Sequence, residues 1–336
     1  VKKRPTQADV ARLANVSQAM VSYVLNDSSS ISIPDETRQR ILDAISELGY
    51  QPNRTARSLR TSKTYTIAAI IPDITNPFYP AFERGIQDVA DQCDYDVITY
   101  NTDGLAEKER KYIQSVREGR VDGVVAVLFH TSAPGLFPLL DHNIPVVRLE
   151  ATRKPAGERP LDNIYLDNVA AAREAVSYLI GKGHQRIGML AGPEGPTHYR
   201  IVGYVSALES HAIAVDKQLI QVGEFNEQGG YEAMRVLLAL ADRPTAVFAA
   251  NDLMAMGAYI AIKEAGLRIP HDVAVVGFDN IPTAKLVSPP LTTIDQDQRE
   301  VGHRAAEMLF ERLEGRAPAV GRSEERPHRL IIRESA

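Results

Sequence analysis

The chain has 336 residues, 44% of them hydrophobic and 24% charged, which argues against collagen and bulk disorder, and its lone cysteine, Cys93, against a disulfide scaffold. Formal charge is −5, yet residues 1–64 carry ten basic and six acidic side chains (+4) and the other 272 residues carry −9, which suggests that only the head meets a polyanion. The opening Val1-Lys2-Lys3-Arg4 lacks the apolar run of a signal peptide and no stretch approaches the ~20 apolar residues of a membrane span, so a cytoplasmic protein with no membrane partner is expected.

The head, residues 1–50, predicts three helices. Thr6 and Asp9 have capping-box spacing, and Val10, Leu13 and Ala14 follow as an apolar stripe. Asn15-Val16 interrupts the stripe. Ser17 can cap a second helix, whose Met20, Val21, Val24 and Leu25 recur at spacings of three and four. After the polar loop from Asn26 to Ser30, Ser32 and Asp35 repeat the capping-box spacing. Ile41, Leu42, Ile45 and Leu48 then line a third helix that ends near Gly49. Two short helices joined tightly and followed by a third fit a helix-turn-helix domain, and also a generic three-helix bundle. Residues 51–64 form a basic linker with a short helix starting at Pro52 and Asn53, too short to be stable alone. Leu59 is its odd member. It either packs against the main body or enters a minor groove as a wedge once DNA orders the helix.

Beyond residue 64 the pattern alternates. Strands are predicted at Tyr65–Pro72, Asp96–Tyr100, Gly123–Phe129, Pro145–Leu149, Arg186–Ala191, a stretch ending at Val222, Ala246–Ala249, Val273–Phe278 and Arg329–Arg333, with helices between them. Such alternation predicts parallel sheets covered on both faces. There are too many units for one doubly wound domain, so the α/β body is read as two Rossmann-like lobes with their mouths at strand C-termini. No P-loop, His-Glu-x-x-His or Gly-x-Ser-x-Gly motif occurs, and the histidines are scattered. Neither a catalytic residue, a metal nor a cofactor is expected.

Several short pieces stand in a characteristic order: Asp9-Val10-Ala11, the run from Asn15 to Asn26, Leu48-Gly49-Tyr50-Gln51-Pro52-Asn53, Ala56-Arg57-Ser58-Leu59, Asn76-Pro77-Phe78-Tyr79, the run from Arg200 to Tyr204, the run from Asn251 to Gly257, Gly277-Phe278-Asp279-Asn280 and Pro290-Leu291-Thr292-Thr293-Ile294. Together, over almost the whole chain, they resemble the LacI/GalR family of bacterial transcription repressors, whose core is similar to periplasmic sugar-binding proteins. Gly192-Pro193-Glu194 with His198-Tyr199-Arg200 looks most like the cytidine-repressor branch of that family.

The resemblance implies a homodimer on a palindromic double-stranded DNA operator, with the second helix of the head in the major groove. Gln18 would read adenine edges, Ala19 a thymine methyl, and Ser17, Ser22, Tyr23 and Thr6 would contact bases or phosphates. Asn26, Asn53, Arg54 and Arg57 would hold phosphates, and Leu59 would be the wedge at the central step. Met20 and Tyr23 depart from the Thr and the Arg or His of many relatives, which bears on the operator sequence. The resemblance also implies a small effector of the sugar or nucleoside class between lobes 65–163 plus 294–322 and 164–293 plus 323–336, with chain crossings near Leu161–Tyr165, Thr292–Gln296 and Arg322–Arg326. Loop position and resemblance nominate Asp73, Asn76, Phe78, Tyr79, His130, Arg200, Phe225, Asn251, Asp279 and Gln296 as its contacts. Aromatic rings there can stack on a sugar or base, and the Arg200 fork suits paired hydroxyls. The loop Phe129-His130-Thr131-Ser132 lacks the Asp-Arg pair of many sugar binders, so a nucleoside stays open beside a sugar. The alternative is a solute-binding protein without a regulatory DNA role.

Overall fold

A computed structural model describes residues 5–25, 33–51 and 63–336. The chain divides into two compact units, residues 1–64 and 65–336.

The first unit contains α1 (Gln7–Leu13), α2 (Gln18–Leu25) and α3 (Asp35–Leu48). Its capping box closes both ways. Asp9 N–H donates to Thr6 Oγ1 at 3.3 Å, and Thr6 N–H donates to the Asp9 carboxylate at 2.9 Å. Ser17 Oγ accepts from Met20 N–H at 3.2 Å and starts α2. Val10, Ala11, Ala14, Val21, Val24, Ile41 and Ala44 form the core. Leu13 and Leu42, expected on the apolar stripes, are instead 46% and 45% exposed. They sit to one side of the buried seam that Val10, Ala14, Ile41 and Ala44 form. Pro34 stands at the head of α3 without a side-chain cap; Ser32, expected to cap it, lies outside the described residues. Gly49, at φ 59°, ends α3 in the left-handed conformation, and Tyr50 N–H bonds to Ile45 O.

The second unit runs β1 (Thr66–Ile71), α4 (Phe78–Gln92), β2 (Asp96–Asn101), α5 (Ala106–Arg117), β3 (Gly123–Val127), α6 (Ala133–Asp141), β4 (Val146–Glu150), β5 (Leu161–Leu166), α7 (Asn168–Gly181), β6 (Ile187–Ala191), α8 (Thr197–Ser210), β7 (Ile220–Val222), α9 (Glu227–Leu238), β8 (Ala246–Ala249), α10 (Asp252–Glu264), β9 (Ala274–Asp279), β10 (Thr292–Asp295), α11 (Gln298–Leu313), β11 (Ser323–Arg326) and β12 (Arg329–Ile331). Two six-stranded sheets result, ordered β11-β5-β4-β3-β1-β2 and β12-β10-β9-β8-β6-β7. All pairs are parallel except β10 with β12. Such sheets must be covered on both faces. In the first lobe α4 and α11 cover one face with Phe82, Ile86, Val301, Ala305 and Leu309. These two helices touch backbone to backbone. A Cβ at Gly85 or Gly302 would run into the main chain of Arg299 or Phe82.

The three expected crossings are themselves occupied by strands. β5 (LDNIYL) and β11 (SEER) belong to the first sheet, and β10 (TTID) to the second. Each expected lobe boundary, at 163, 293 and 322, therefore shifts a few residues toward the C-terminus; Ser323–Arg326, assigned to the second lobe, pairs in the first. Several of the polar residues that hid these strands are satisfied internally, although Ser323 Oγ and Arg326 Nε on β11 are buried without a partner among the described residues. Asp162 on β5 is fully buried and accepts from Arg312 Nε and Nη2 at 2.7 and 2.6 Å, and from Arg322 N–H and Nη2 at 2.8 and 2.7 Å. One carboxylate thus ties β5, the end of α11 and the entry to β11.

Asp162→Ala leaves two guanidinium groups without their shared partner, a change that costs roughly 3–5 kcal/mol when a buried ion pair is broken from one side. Urea unfolding of the full chain should show that loss as a lower midpoint at unchanged slope. A loss below about 1 kcal/mol would contradict the role given to Asp162.

Candidate functional site

A cavity of about 770 Å³ opens between the two lobes, a size typical of small-molecule sites. Its lining comes from segments at the C-terminal ends of strands in both sheets. Asp73, Asn76, Phe78 and Tyr79 follow β1, and Glu150 and Lys154 lie at or after the end of β4. Asn168 follows β5, His198, Tyr199 and Arg200 follow β6, and Phe225 follows β7. Asn251 follows β8, Asp279 ends β9, and Gln296 follows β10.

Arg200 and Asp279 form the chemical centre and are 5% and 4% exposed. The Arg200 guanidinium lies over the Phe278 ring at 3.7 Å, donates from Nε to Asn168 Oδ1 at 2.8 Å, and donates from Nη1 to Ala250 O. Burial draws its pKa down, against the opposing field of Asp279. Asp279 sits at φ 112°, a strained value for a side-chain-bearing residue. Gln296 Nε2 donates to its Oδ1 at 2.6 Å, and Gln298 Nε2 donates to its carbonyl. Burial pushes the Asp279 carboxyl up to about 7, with Arg200 and Gln296 pulling the other way. The two groups do not pair directly. Among the described residues no partner occupies Arg200 Nη2 or Asp279 Oδ2, so both can serve a molecule in the cavity. Behind them Asp252 is fully buried, accepting from Thr293 Oγ1 at 2.6 Å and Ile281 N–H at 2.8 Å. Burial, then the neighbouring Asp279, raises its pKa well above the carboxylate range.

The walls are built by turns that the sequence encodes locally. Asp73 Oδ1 accepts from Thr75 N–H and Oγ1 at 2.9 and 2.7 Å, and Asn76 Oδ1 accepts from Phe78 N–H at 3.1 Å. Phe78 and Tyr79 meet edge to face at 5.0 Å. Asn251 caps α10 through Met254 N–H at 2.8 Å and donates to Phe225 O at 3.1 Å, so the cap and the cavity wall are one residue.

His130 is the one nominated residue outside the cavity lining. Buried Glu109 accepts from the N–H groups of Phe129, His130 and Thr131. Phe129 lines the cavity from the loop so held, while the imidazole is engaged with Gly104 O and Glu194. Sequence reasoning missed Asn168, Glu150 and Lys154 as lining residues. Asn168 looked like part of a helix start, and the other two sit at and beyond a strand end without a motif. In the head, Ser17, Gln18, Ala19 and Tyr23 are exposed at the start of and along α2, Ser22 is half-buried, and Thr6 is exposed at its cap. Gln18 touches Gln7 Oε1 at 3.4 Å. Asn26, Asn53, Arg54, Arg57 and Leu59 lie outside the described residues. Among the described residues no helix is long and apolar enough to cross a membrane, and no group of three His, Cys, Asp or Glu could hold a metal.

A helix-turn-helix head on a two-lobed parallel-sheet body with a polar cavity defines a DNA-binding regulator built on a ligand-binding core. Residues 6–53 match the bacterial regulatory proteins of the lacI family, and residues 176–336 match the periplasmic binding protein-like domain. Over 320 residues the chain is 37% identical to the HTH-type transcriptional repressor CytR of Escherichia coli, covering 94% of this chain and 92% of that one. It is 35% identical over 311 residues to the ribose operon repressor of Escherichia coli, covering 92% and 93%. The crystal structure of the lac repressor dimer bound to operator and the anti-inducer ONPF matches with a TM-score of 0.87 at 28% identity, over 99% of both chains. The chain belongs to the lacI family and is a sequence-specific DNA-binding transcriptional regulator, not an enzyme.

The raised Asp279 pKa gives a signed prediction. The folded chain keeps a proton there that the unfolded chain loses above its ordinary value of 3.8. Stability therefore falls as pH rises from about 4 to about 7, and the full penalty is present above that. Asp279→Asn, neutral throughout, should raise Tm over the wild type at pH 8, with the gap narrowing toward pH 4. A lower Tm for the variant at pH 8 would contradict this assignment.

Proposed function

We propose that this chain is a homodimeric repressor whose affinity for a palindromic operator is set by a small sugar- or nucleoside-class effector held between its lobes. The observation that carries the reading is that two largely buried residues, Arg200 and Asp279, each keep one polar atom, Nη2 and Oδ2, with no partner among the described residues where the lobes meet. A guanidinium nitrogen and a carboxyl oxygen free of protein partners make strong, charge-assisted hydrogen bonds, and a hydroxyl-bearing ligand supplies partners to both. Phe78, Tyr79 and Phe225 provide the flat apolar faces that sugar and base rings stack on. Asp73, Asn76, Asn251 and Gln296 supply the remaining polar edge. The CytR and ribose operon repressors, and a lac repressor crystallised with operator and anti-inducer, support the same reading.

Ser17, Gln18, Ala19 and Tyr23 are the proposed major-groove readers, with Thr6 and Ser22 beside them. A ligand that favours one lobe arrangement shifts the population of dimers able to bind operator, and it does so only by its difference in affinity between the states. The alternative, a solute-binding protein without a DNA role, is opposed by the helix-turn-helix head and its match at residues 6–53.

Selection of genomic fragments by the purified protein, at fixed salt and with and without a panel of sugars and nucleosides, tests the reading. Salt is held constant because phosphate contacts make affinity steeply salt-dependent. Enrichment of one palindrome, altered by one compound, is expected. Enrichment of no sequence under any condition would favour the solute-binding alternative. On the selected duplex, Arg200→Ala should bind with an affinity within about threefold of the wild type and lose at least tenfold in effector potency. Retained potency would remove Arg200 from the site.

A further inference from the structure

We infer that His130 and Glu194 form a clasp across the cleft that holds the two lobes together, making His130 a positioning residue for the cavity and not one of its ligand contacts. His130 follows β3 in the first lobe and Glu194 follows β6 in the second. His130 Nε2 lies 2.9 Å from Glu194 Oε2 and 2.7 Å from Gly104 O. Gly104 O is an acceptor, so this nitrogen carries a proton and donates to it, with the Glu194 carboxylate beside it at ion-pair distance.

Both sides of the clasp are prepared for it. On the first lobe, the carboxylate of Glu109, 1% exposed, accepts from Phe129 N–H at 2.7 Å, Thr131 N–H at 2.8 Å and Thr131 Oγ1 at 2.7 Å, and also from His130 N–H. That anchor fixes the segment on which the imidazole is mounted. On the second lobe, Gly195 at φ 64° leaves room for the Phe129 ring, and a Cβ there would come within 2.7 Å of it. A second first-lobe residue reaches the same second-lobe segment, since Lys154 Nζ donates to Tyr199 OH at 3.4 Å. The segment gripped in this way leads directly into Arg200. Holding it therefore sets where the guanidinium stands relative to the first-lobe wall.

The clasp is partly exposed, with His130 at 29% and Glu194 at 54%. An exposed pair is a modest interaction, suited to an equilibrium that a ligand must be able to move. Its loss should lower the ratio of closed to open lobes by about two- to fivefold. The regulatory meaning of the clasp rests on the cavity being the effector site. The clasp itself is testable without effector or DNA, so the two readings can fail separately.

The test is pulsed electron–electron resonance on the ligand-free full chain, with nitroxides at Lys111→Cys in the first lobe and Lys263→Cys in the second, in a Cys93→Ser background. His130→Ala and Glu194→Ala should each change the interlobe distance distribution, by the same amount. The double variant should change it no further. His130→Gln, which keeps an N–H donor for both acceptors, should restore the wild-type distribution. Unchanged distributions, additive changes in the double variant or failure of His130→Gln to restore would each overturn the clasp.

Discussion

A guanidinium withdrawn from water must be given acceptors and a compensating field, or it destabilises whatever buries it. Arg200 meets that requirement with parts drawn from four places. These are Asn168 at the start of α7, the Ala250 carbonyl after β8, the Phe278 ring on β9 and, at longer range, the Asp279 carboxyl. None of them is local to Arg200 in sequence. Ala250, Phe278 and Asp279 meet Arg200 because β6, β8 and β9 are parallel neighbours whose C-terminal ends lie side by side, while Asn168 arrives from the helix that follows β5. The sheet order of the second lobe is thus a precondition for the charge at the centre of the cavity.

That same burial keeps the site incomplete. Burial, and then the nearby Asp279, raises the cost of ionising the Tyr79 hydroxyl of the first lobe, with Arg200 pulling the other way. Lobe arrangement and the protonation of Asp279 are consequently linked. Parting the lobes would readmit water and lower the cost of ionising the carboxyl, while a ligand with hydroxyls would stabilise the closed arrangement by bonding to the free faces of both groups. On the proposed reading, this is the differential affinity that a repressor needs in order to respond to a small molecule.

The head and the alternating body were legible because their signals are short-range. Thr6 with Asp9 and Ser17 ahead of Met20 are caps that any folded context would use. The buried runs at Ile67–Ile71 and Val124–Val127 read as strands without a partner in view. What stayed hidden depends on long-range pairing. Asp162 and Asn163 look like loop residues until Arg312, Arg322 and Arg148 are brought to them from elsewhere in the chain. β10 and β11 are equally short and polar, so periodicity could not reveal them. In the cavity, Arg200, Asp279 and Asn251 were nominated by their places after strands together with the family resemblance. Asn168 was not, because its bonds to Arg200 and to the Ala151 carbonyl exist only once distant segments are brought together. His130 lies outside the cavity lining for a related reason: its loop follows β3, but Glu109, twenty-one residues away, decides how that loop is held.

The central claim is that one molecule in the interlobe cavity and one DNA duplex on the head are thermodynamically coupled. Coupling of that kind is reciprocal, so it can be measured from both sides. The most direct measurement is a pair of titrations on the wild-type protein at one salt concentration: operator affinity at zero and saturating effector, and effector affinity with and without operator. The account predicts the same factor from both, at least tenfold, falling to about one in Arg200→Ala. Operator affinity that does not move when the cavity is saturated would contradict it.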